Sequence, residues 1–168
     1  MLFRSTGLIQ MNKKKLPLMD TVISAVNRTY PKADEKEIEF VFDYEKDLET
    51  RTIMQDKRWL GEAVINVLDN AVKYSPCGSK IFIRLQKRND LVRIEIEDQG
   101  IGIPQNEYHK IFQRFYRGSS KEVMEKSGTG IGLFLSREII EKHAGTITVT
   151  SGKKKKGSTF VIQLPYVG

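Results

Sequence analysis

The chain of 168 residues carries 28 basic and 21 acidic side chains, a formal net charge of +7, with 39% hydrophobic residues, 9% aromatic residues and one cysteine. A chain near this length buries roughly two thirds of the surface its unfolded form exposes, so one domain can build a core without disulfides or metal staples. The lone Cys77 excludes an internal disulfide framework and reads as an incidental thiol in a turn. No window of about 18 apolar residues exists to span a membrane, and Met1 to Met11 is too broken for a signal-peptide apolar region. The positive balance admits polyanions, whether nucleic acid, anionic lipid or nucleotide polyphosphate, without choosing among them.

Residues 1–15 show no clear period and end in Lys13-Lys14-Lys15; they read as a linker remnant with an edge strand at Leu8 to Met11, leaving 16–168 as the domain proper. From Leu18, the apolar residues Val22, Ile23, Val26 and Tyr30 recur at helical spacing until Pro31. Ile38 to Phe42 then alternates as a strand. The spacing of Leu60, Val64, Val67, Leu68 and Ala71 predicts a long helix over Arg58 to Tyr74, stopped by Ser75-Pro76. Two strands, Lys80 to Gln86 and Leu91 to Glu97, follow as a hairpin about Asn89-Asp90. After the turn Asp98 to Pro104 come a short helix near Glu107 to Phe112 and a polar, mobile stretch from Arg117 to Ser127. A second long helix is expected from Thr129 to His143 with Gly145 as its stop. Two last strands, Thr146 to Ser151 and Thr159 to Leu164, flank Lys153 to Lys156, which reads as a solvated hairpin tip rather than a nucleic-acid patch. Hairpins with helices grouped between them predict an α+β fold, helices layered on one face of a mixed sheet.

Three constellations could carry chemistry. On the long helix, Glu62, Asn66, Asn70 and Lys73 fall on one stripe opposite the apolar face, with Tyr74 at its edge. Asparagine is a poor helix-interior residue, so two of them one turn apart suggest either a solvated face or an amide oxygen for magnesium, with Lys73 meeting phosphate. Second, Asp98 offers a carboxylate for an exocyclic amine such as that of adenine, and Gly100 and Gly102 let the backbone approach a flat ring. A tight turn alone would also use those glycines. Third, Gly128, Thr129, Gly130, Gly132 and Leu133 open a helix whose exposed N–H groups and positive dipole end favour phosphate oxygens.

Familiar alternatives fail on spacing. Gly152 to Thr159 puts Ser158 where a P-loop needs lysine, and no dinucleotide fingerprint fits, because positions 105 and 135 are Gln and Leu. His109 and His143 lack metal-like spacing, and no Gly-x-Ser-x-Gly elbow occurs.

In this order, Trp59 to Pro76 resembles the asparagine box of sensor histidine kinases, Asp98 to Pro104 their first glycine box, Ile111 to Arg117 their phenylalanine box and Gly128 to Leu133 their second glycine box. The resemblance covers about residues 8 to 165. It implies the ATP-binding catalytic domain shared with DNA gyrase, heat-shock chaperones and mismatch-repair ATPases. That fold is a two-layer α/β sandwich of Bergerat type: a mixed, mostly antiparallel sheet, about three helices on one face and a flexible ATP lid. By resemblance, Asn70 holds Mg2+, with Asn66 and Lys73 near the phosphates and Tyr74 flanking the nucleotide. Asp98 accepts from the adenine amine over Gly102 and Ile103, close to Gly100. Tyr116 and Arg117 approach ribose or phosphates. Gly128, Thr129, Gly130, Gly132 and Leu133 cradle the polyphosphate, and Thr159 reaches adenine through water.

Gyrase-type hydrolases carry a glutamate four residues before the magnesium asparagine. Here that position is Asn66, which has no useful basicity, so transfer is favoured over hydrolysis. The expected function is γ-phosphate transfer from ATP to a histidine outside this chain, since neither His109 nor His143 stands in a phosphoacceptor context. The expected partners are a dimerisation and phosphoacceptor domain and, through the parent kinase, a response regulator receiver domain. No nucleic-acid or membrane contact is expected of this monomeric, cytoplasmic part of a membrane-anchored bacterial sensor. Two rival readings remain open: a serine-directed kinase of the anti-sigma type, and a basic nucleic-acid-binding module in which the glycines are only turns.

Overall fold

The structure, a computed structural model, describes residues 9–117, 132–151 and 156–166. In chain order its elements are β1 (Lys14–Pro17), α1 (Leu18–Glu35), β2 (Glu39–Tyr44), β3 (Thr52–Gln55), α2 (Lys57–Tyr74), β4 (Lys80–Arg88), β5 (Leu91–Glu97), α3 (Gly132–Lys142), β6 (Thr146–Ser151) and β7 (Ser158–Pro165). Short 3-10 turns lie at Lys46–Glu49, Gln105–Glu107 and Lys110–Phe112. Five strands form one sheet in the order β2-β4-β5-β7-β6, with β2 parallel to β4 and the other pairs antiparallel. β1 and β3 form a separate antiparallel ribbon.

The period-two pattern of the strands explains the layering. Ile83 of β4, Ile96 of β5, Phe160 of β7 and Val149 of β6 are consecutive cross-strand partners, and all are buried. With Ile81, Leu85, Val92, Ile94, Ile162 and Leu164 they make one apolar face. Helix α2 lays Leu60, Val64, Val67, Leu68 and Ala71 into that core, and α1 and α3 flank it with Val22, Ala25, Ile139 and Ile140. Between helices, the buried Ser136 hydroxyl donates to the Ala63 carbonyl at 2.9 Å. The opposite sheet face is polar, with Arg84 bridging Glu95 at 3.1 Å and Glu97 at 2.5 Å. The expected α+β sandwich is therefore the fold observed. Among the described residues no helix is long and apolar enough to cross a membrane.

Four local expectations differ. The first strand is Lys14–Pro17 rather than Leu8 to Met11; Leu8 lies outside the described residues, and 9–11 have no regular structure. Its partner is β3, where the wholly buried Gln55 donates to the Leu16 carbonyl at 2.9 Å and accepts from the Thr21 hydroxyl at 2.6 Å. A proline is tolerated in β1 because the ribbon has only two strands. Helix α1 runs through Pro31 to Glu35, because Ala33 is buried beyond the proline and a left-handed Glu37, φ 54°, closes the helix with the Ile38 N–H on the Ala33 carbonyl at 2.9 Å. The segment near Glu107 to Phe112 is two 3-10 turns instead of one helix. At the end of α3 the left-handed residue is Ala144, φ 58°, whereas a Cβ at Gly145 would strike the Gln163 carbonyl of β7. The glycine thus serves close packing. The stretch expected to be mobile, 118–127, and the lysines at 153–155 lie outside the described residues.

Buried His143 joins α3 to α2. Its Nδ1–H donates to the Ile139 carbonyl at 2.8 Å, which leaves Nε2 to accept the Asp56 N–H at 3.0 Å. Asp56 is the N-cap of α2, and its carboxylate accepts from the Trp59 N–H at 3.2 Å and the Asn12 N–H at 2.9 Å. Burial, with Lys13 adding to it, holds the imidazole below its ordinary 6.5, against the opposing pull of the Ile139 bond and the Asp56 charge. Because the unfolded chain takes the proton first, this contribution is whole above about 6.5 and is lost as pH falls below it, at up to about 1.4 kcal/mol per pH unit. His143→Gln, whose amide oxygen can still accept from Asp56, is expected to flatten that acid limb in urea unfolding. An unchanged limb would remove His143 from the explanation.

Candidate functional site

The candidate site lies where the C-terminal half of α2, the turn after β5 and the start of β7 converge. β5 delivers Asp98 into the interior, 4% exposed. Its Oδ1 accepts the Gly100 N–H at 2.9 Å and the Ser158 N–H at 3.2 Å, and its Oδ2 accepts the Ser158 hydroxyl at 2.8 Å. Burial raises the Asp98 carboxyl above its ordinary value, while these hydrogen bonds pull in the opposite direction. A carboxylate held this rigidly keeps acceptor capacity for a further donor, because its two oxygens offer about four lone-pair sites in all.

Glycines permit the convergence. A Cβ at Gly100 would strike the Tyr74 carbonyl, so the end of α2 touches the turn only because residue 100 lacks one. A Cβ at Gly157, φ 72°, would likewise strike the Asp98 carbonyl, and this glycine leads into Ser158.

On α2 the stripe divides. Glu62 belongs to the seam with α1, paired to Arg28 at 3.2 Å. Asn66 turns to α3, its Nδ2–H donating to the Gly132 carbonyl at 3.2 Å. Asn70 and Lys73 are half-buried, with the Lys73 ammonium 5.4 Å from the Tyr74 ring centre. Burial raises the Tyr74 hydroxyl; the Arg117 guanidinium, hydrogen-bonded to it, pulls it down. Two cations and a phenol thus share one corner, an arrangement suited to phosphate oxygens.

Other expected residues take different places. Ile103 and Leu133 pack against the core from its margin. Tyr116 donates its hydroxyl to the buried Glu107 carboxylate, a bond that raises the phenol first and positions the phenylalanine segment. In that segment Phe112 is buried edge-on against Phe160, ring centres 6.1 Å apart, whereas Phe115 is 59% exposed at φ 64°. Thr159 is in register with Glu97, and the residue touching Asp98 is its neighbour Ser158. Gly128, Thr129 and Gly130 lie outside the described residues; Gly132 opens α3 within reach of Asn66.

Sequence reasoning passed over Ser158, Gly157 and Glu107. A glycine directly before a polar residue at a strand start was the available signal for the first two. Among the described residues no three His, Cys, Asp or Glu side chains gather as a metal cage. An amide oxygen such as that of Asn70 fits magnesium, which is usually held by one or two protein oxygens together with substrate phosphates.

Known proteins resemble this chain in both sequence and fold. A family model described as "Histidine kinase-, DNA gyrase B-, and HSP90-like ATPase" matches residues 55–168. The sensor-like histidine kinase SenX3 of Mycobacterium tuberculosis is 35% identical over 148 residues, 88% of this chain and 35% of the relative. The sensor histidine kinase WalK of Bacillus subtilis is 32% identical over 160 residues, 94% of this chain and 25% of the relative. This chain therefore spans about a third of the length of such curated relatives, or less. Among solved structures, the mycobacterial sensor histidine kinase MprB superposes with a TM-score of 0.80 at 29% identity, over 92% of this chain and 97% of that one. The nucleotide-free catalytic domain of histidine kinase ThkA shares the fold at a TM-score of 0.80, over 94% of this chain and 100% of that one. With a family model matched over residues 55–168 and relatives 32–35% identical over most of its length, the chain belongs to the histidine kinase-, DNA gyrase B- and HSP90-like ATPase family.

Proposed function

We propose that this chain is the catalytic and ATP-binding part of a two-component sensor histidine kinase. In this reading it binds Mg-ATP and presents the γ-phosphate to a histidine on a separate dimerisation domain. The observation that carries the reading is Asp98, a buried carboxylate fixed by three donors at the junction of β5, α2 and β7. Its remaining acceptor capacity suits the exocyclic amine of adenine, while Lys73 and Arg117 would meet the polyphosphate and Asn70 would hold the metal. Bound magnesium would neutralise charge on the phosphates.

Asn66 supports transfer over hydrolysis. It stands where gyrase-type relatives place a water-activating glutamate, its amide has no useful basicity, and its NH2 is engaged with Gly132. Neither internal histidine suits the acceptor role. Both ring nitrogens of His143 are engaged inside the protein, and exposed His109, in Tyr-His-Lys-Ile-Phe, lacks the sequence context of a phosphoacceptor. The acceptor would then be supplied by the dimerisation domain, and the phosphoryl group would pass to a receiver domain, in a cytoplasmic part of a membrane-anchored sensor.

The test is calorimetric titration with a non-hydrolysable ATP analogue, with magnesium and with chelator, repeated with the GTP analogue. Binding that needs magnesium and prefers adenine is expected, and no binding under any of these conditions would reject the reading. Steady acid-labile phosphate on the isolated chain would contradict the assignment of the acceptor to another domain.

A further inference from the structure

The last turn of α2 carries Lys73 and Tyr74, yet it ends without the left-handed glycine that closes many helices. Ser75 is extended, at φ −89° and ψ 144°, and Pro76 follows. An α-helix leaves its last four carbonyls without internal partners, so these need donors from elsewhere. The Ser75 hydroxyl takes the Ala71 carbonyl at 2.6 Å. The Ser75 N–H reaches the Val72 carbonyl at 3.4 Å, and a side chain arrives from the loop between α1 and β2. The Lys36 ammonium donates to the Val72 carbonyl at 2.7 Å, the Lys73 carbonyl at 3.3 Å and the Ser75 carbonyl at 2.6 Å. The Lys36 carbonyl in turn accepts the Gly78 N–H at 2.9 Å. One residue therefore holds both sides of the turn that ends α2, with its charge placed where the helix dipole favours a cation.

That turn is in contact with the site. The Tyr74 carbonyl abuts Gly100, whose N–H binds Asp98, and the Tyr74 hydroxyl meets Arg117. Three parts of the site, namely the buried carboxylate, the Lys73 ammonium and the Tyr74–Arg117 pair, are referenced to one another through the end of α2. We propose that Lys36 is a positioning residue for the nucleotide site. It touches no nucleotide itself; its three carbonyl bonds fix where Lys73 and Tyr74 stand relative to Asp98. This inference rests on the nucleotide-binding reading above.

The experiment compares the wild-type chain with Lys36→Met, which keeps the stem and removes every donor, and Lys36→Arg, which keeps charge and donors. Affinity for the ATP analogue with magnesium is measured by calorimetry well below each melting temperature, and thermal unfolding is followed separately. Lys36→Met is expected to bind about tenfold more weakly, the loss of roughly one charge-assisted hydrogen bond, with Lys36→Arg close to wild type. A Lys36→Met chain that melts earlier but binds with wild-type affinity would show a purely structural lysine and overturn the proposal. Should Lys36→Met fail to fold, Lys36→Gln, which keeps a neutral NH2 donor, is compared in the same way, and wild-type affinity there also overturns it. A wild-type chain that fails to bind removes the nucleotide reading and this inference together, whereas a binding wild type with an indifferent Lys36→Met removes only the inference.

Discussion

Asp98→Asn is expected to leave the nucleotide-free chain as stable as wild type at neutral pH, or slightly more stable, while weakening its affinity for the ATP analogue by about ten- to a hundredfold. The two effects separate because Asp98 has two roles. Inside the protein its oxygens accept from Gly100, the Ser158 backbone and the Ser158 hydroxyl. An asparagine can keep all three, its oxygen accepting both N–H groups and its NH2 donating to a rotated Ser158 hydroxyl. What it cannot keep is a second acceptor edge for an incoming amine, and the adenine preference over guanine should fall with it. The sign of the stability change follows from the titration. Burial raises the folded-state carboxyl above its ordinary 3.8, so ionisation at neutral pH costs the folded state something that Asn does not incur. That cost fades as pH falls through the raised value, and below 3.8 the two proteins should unfold alike. Asp98→Ala, by contrast, strands three buried donors at about 1–3 kcal/mol each and should be plainly destabilised. A persistent adenine preference in Asp98→Asn would discard the recognition role.

The parts legible in the sequence were those in which a single periodicity does the work. α2 buries a clean stripe and β4 and β5 alternate without interruption, so their positions followed from spacing. Asp98, Asn66 and Asn70 could be singled out because their residue types are anomalous where they stand. What escaped depends on partners distant in the chain. β3 is four residues long, and its pairing with β1 relies on a buried Gln55 that no hydropathy pattern reveals. Pro31 reads as a stop locally, but the helix continues through it to bury Ala33 and ends only at the left-handed Glu37, contacts that lie beyond the proline in the chain. Placing Ser158 beside Asp98 requires the β5–β7 register, in which a one-residue shift sends alternate side chains to opposite faces. Lys36 is invisible for the same reason, since a lysine in a charged loop carries no sign that two carbonyls of the last helical turn and that of the Ser75 cap await it.

Gly157→Ala is expected to destabilise the chain by about 3 kcal/mol, from a left-handed backbone costing roughly 1–2 kcal/mol and an overpacked contact costing roughly 1–3 kcal/mol. The glycine sits at φ 72°, and the added methyl would meet the Asp98 backbone carbonyl rather than the pliant end of a side chain. That carbonyl has little room to retreat, since the Asp98 N–H donates to the Ser158 carbonyl at 2.9 Å and the carboxylate is tied to the same residue. Relief therefore comes by displacing Asp98 itself, and the remaining folded protein should bind the ATP analogue more weakly than wild type. Gly61 supplies the control. It lies within α2 with nothing within 4 Å of a Cβ, so Gly61→Ala should stabilise by about 0.5–1 kcal/mol through helix propensity. Urea midpoints at constant m-value would measure both. If Gly157→Ala unfolds with the wild type while Gly61→Ala moves upward, the approach of β7 to the Asp98 turn is looser than the geometry describes, and Asp98 owes its position to Gly100 and the end of α2 alone.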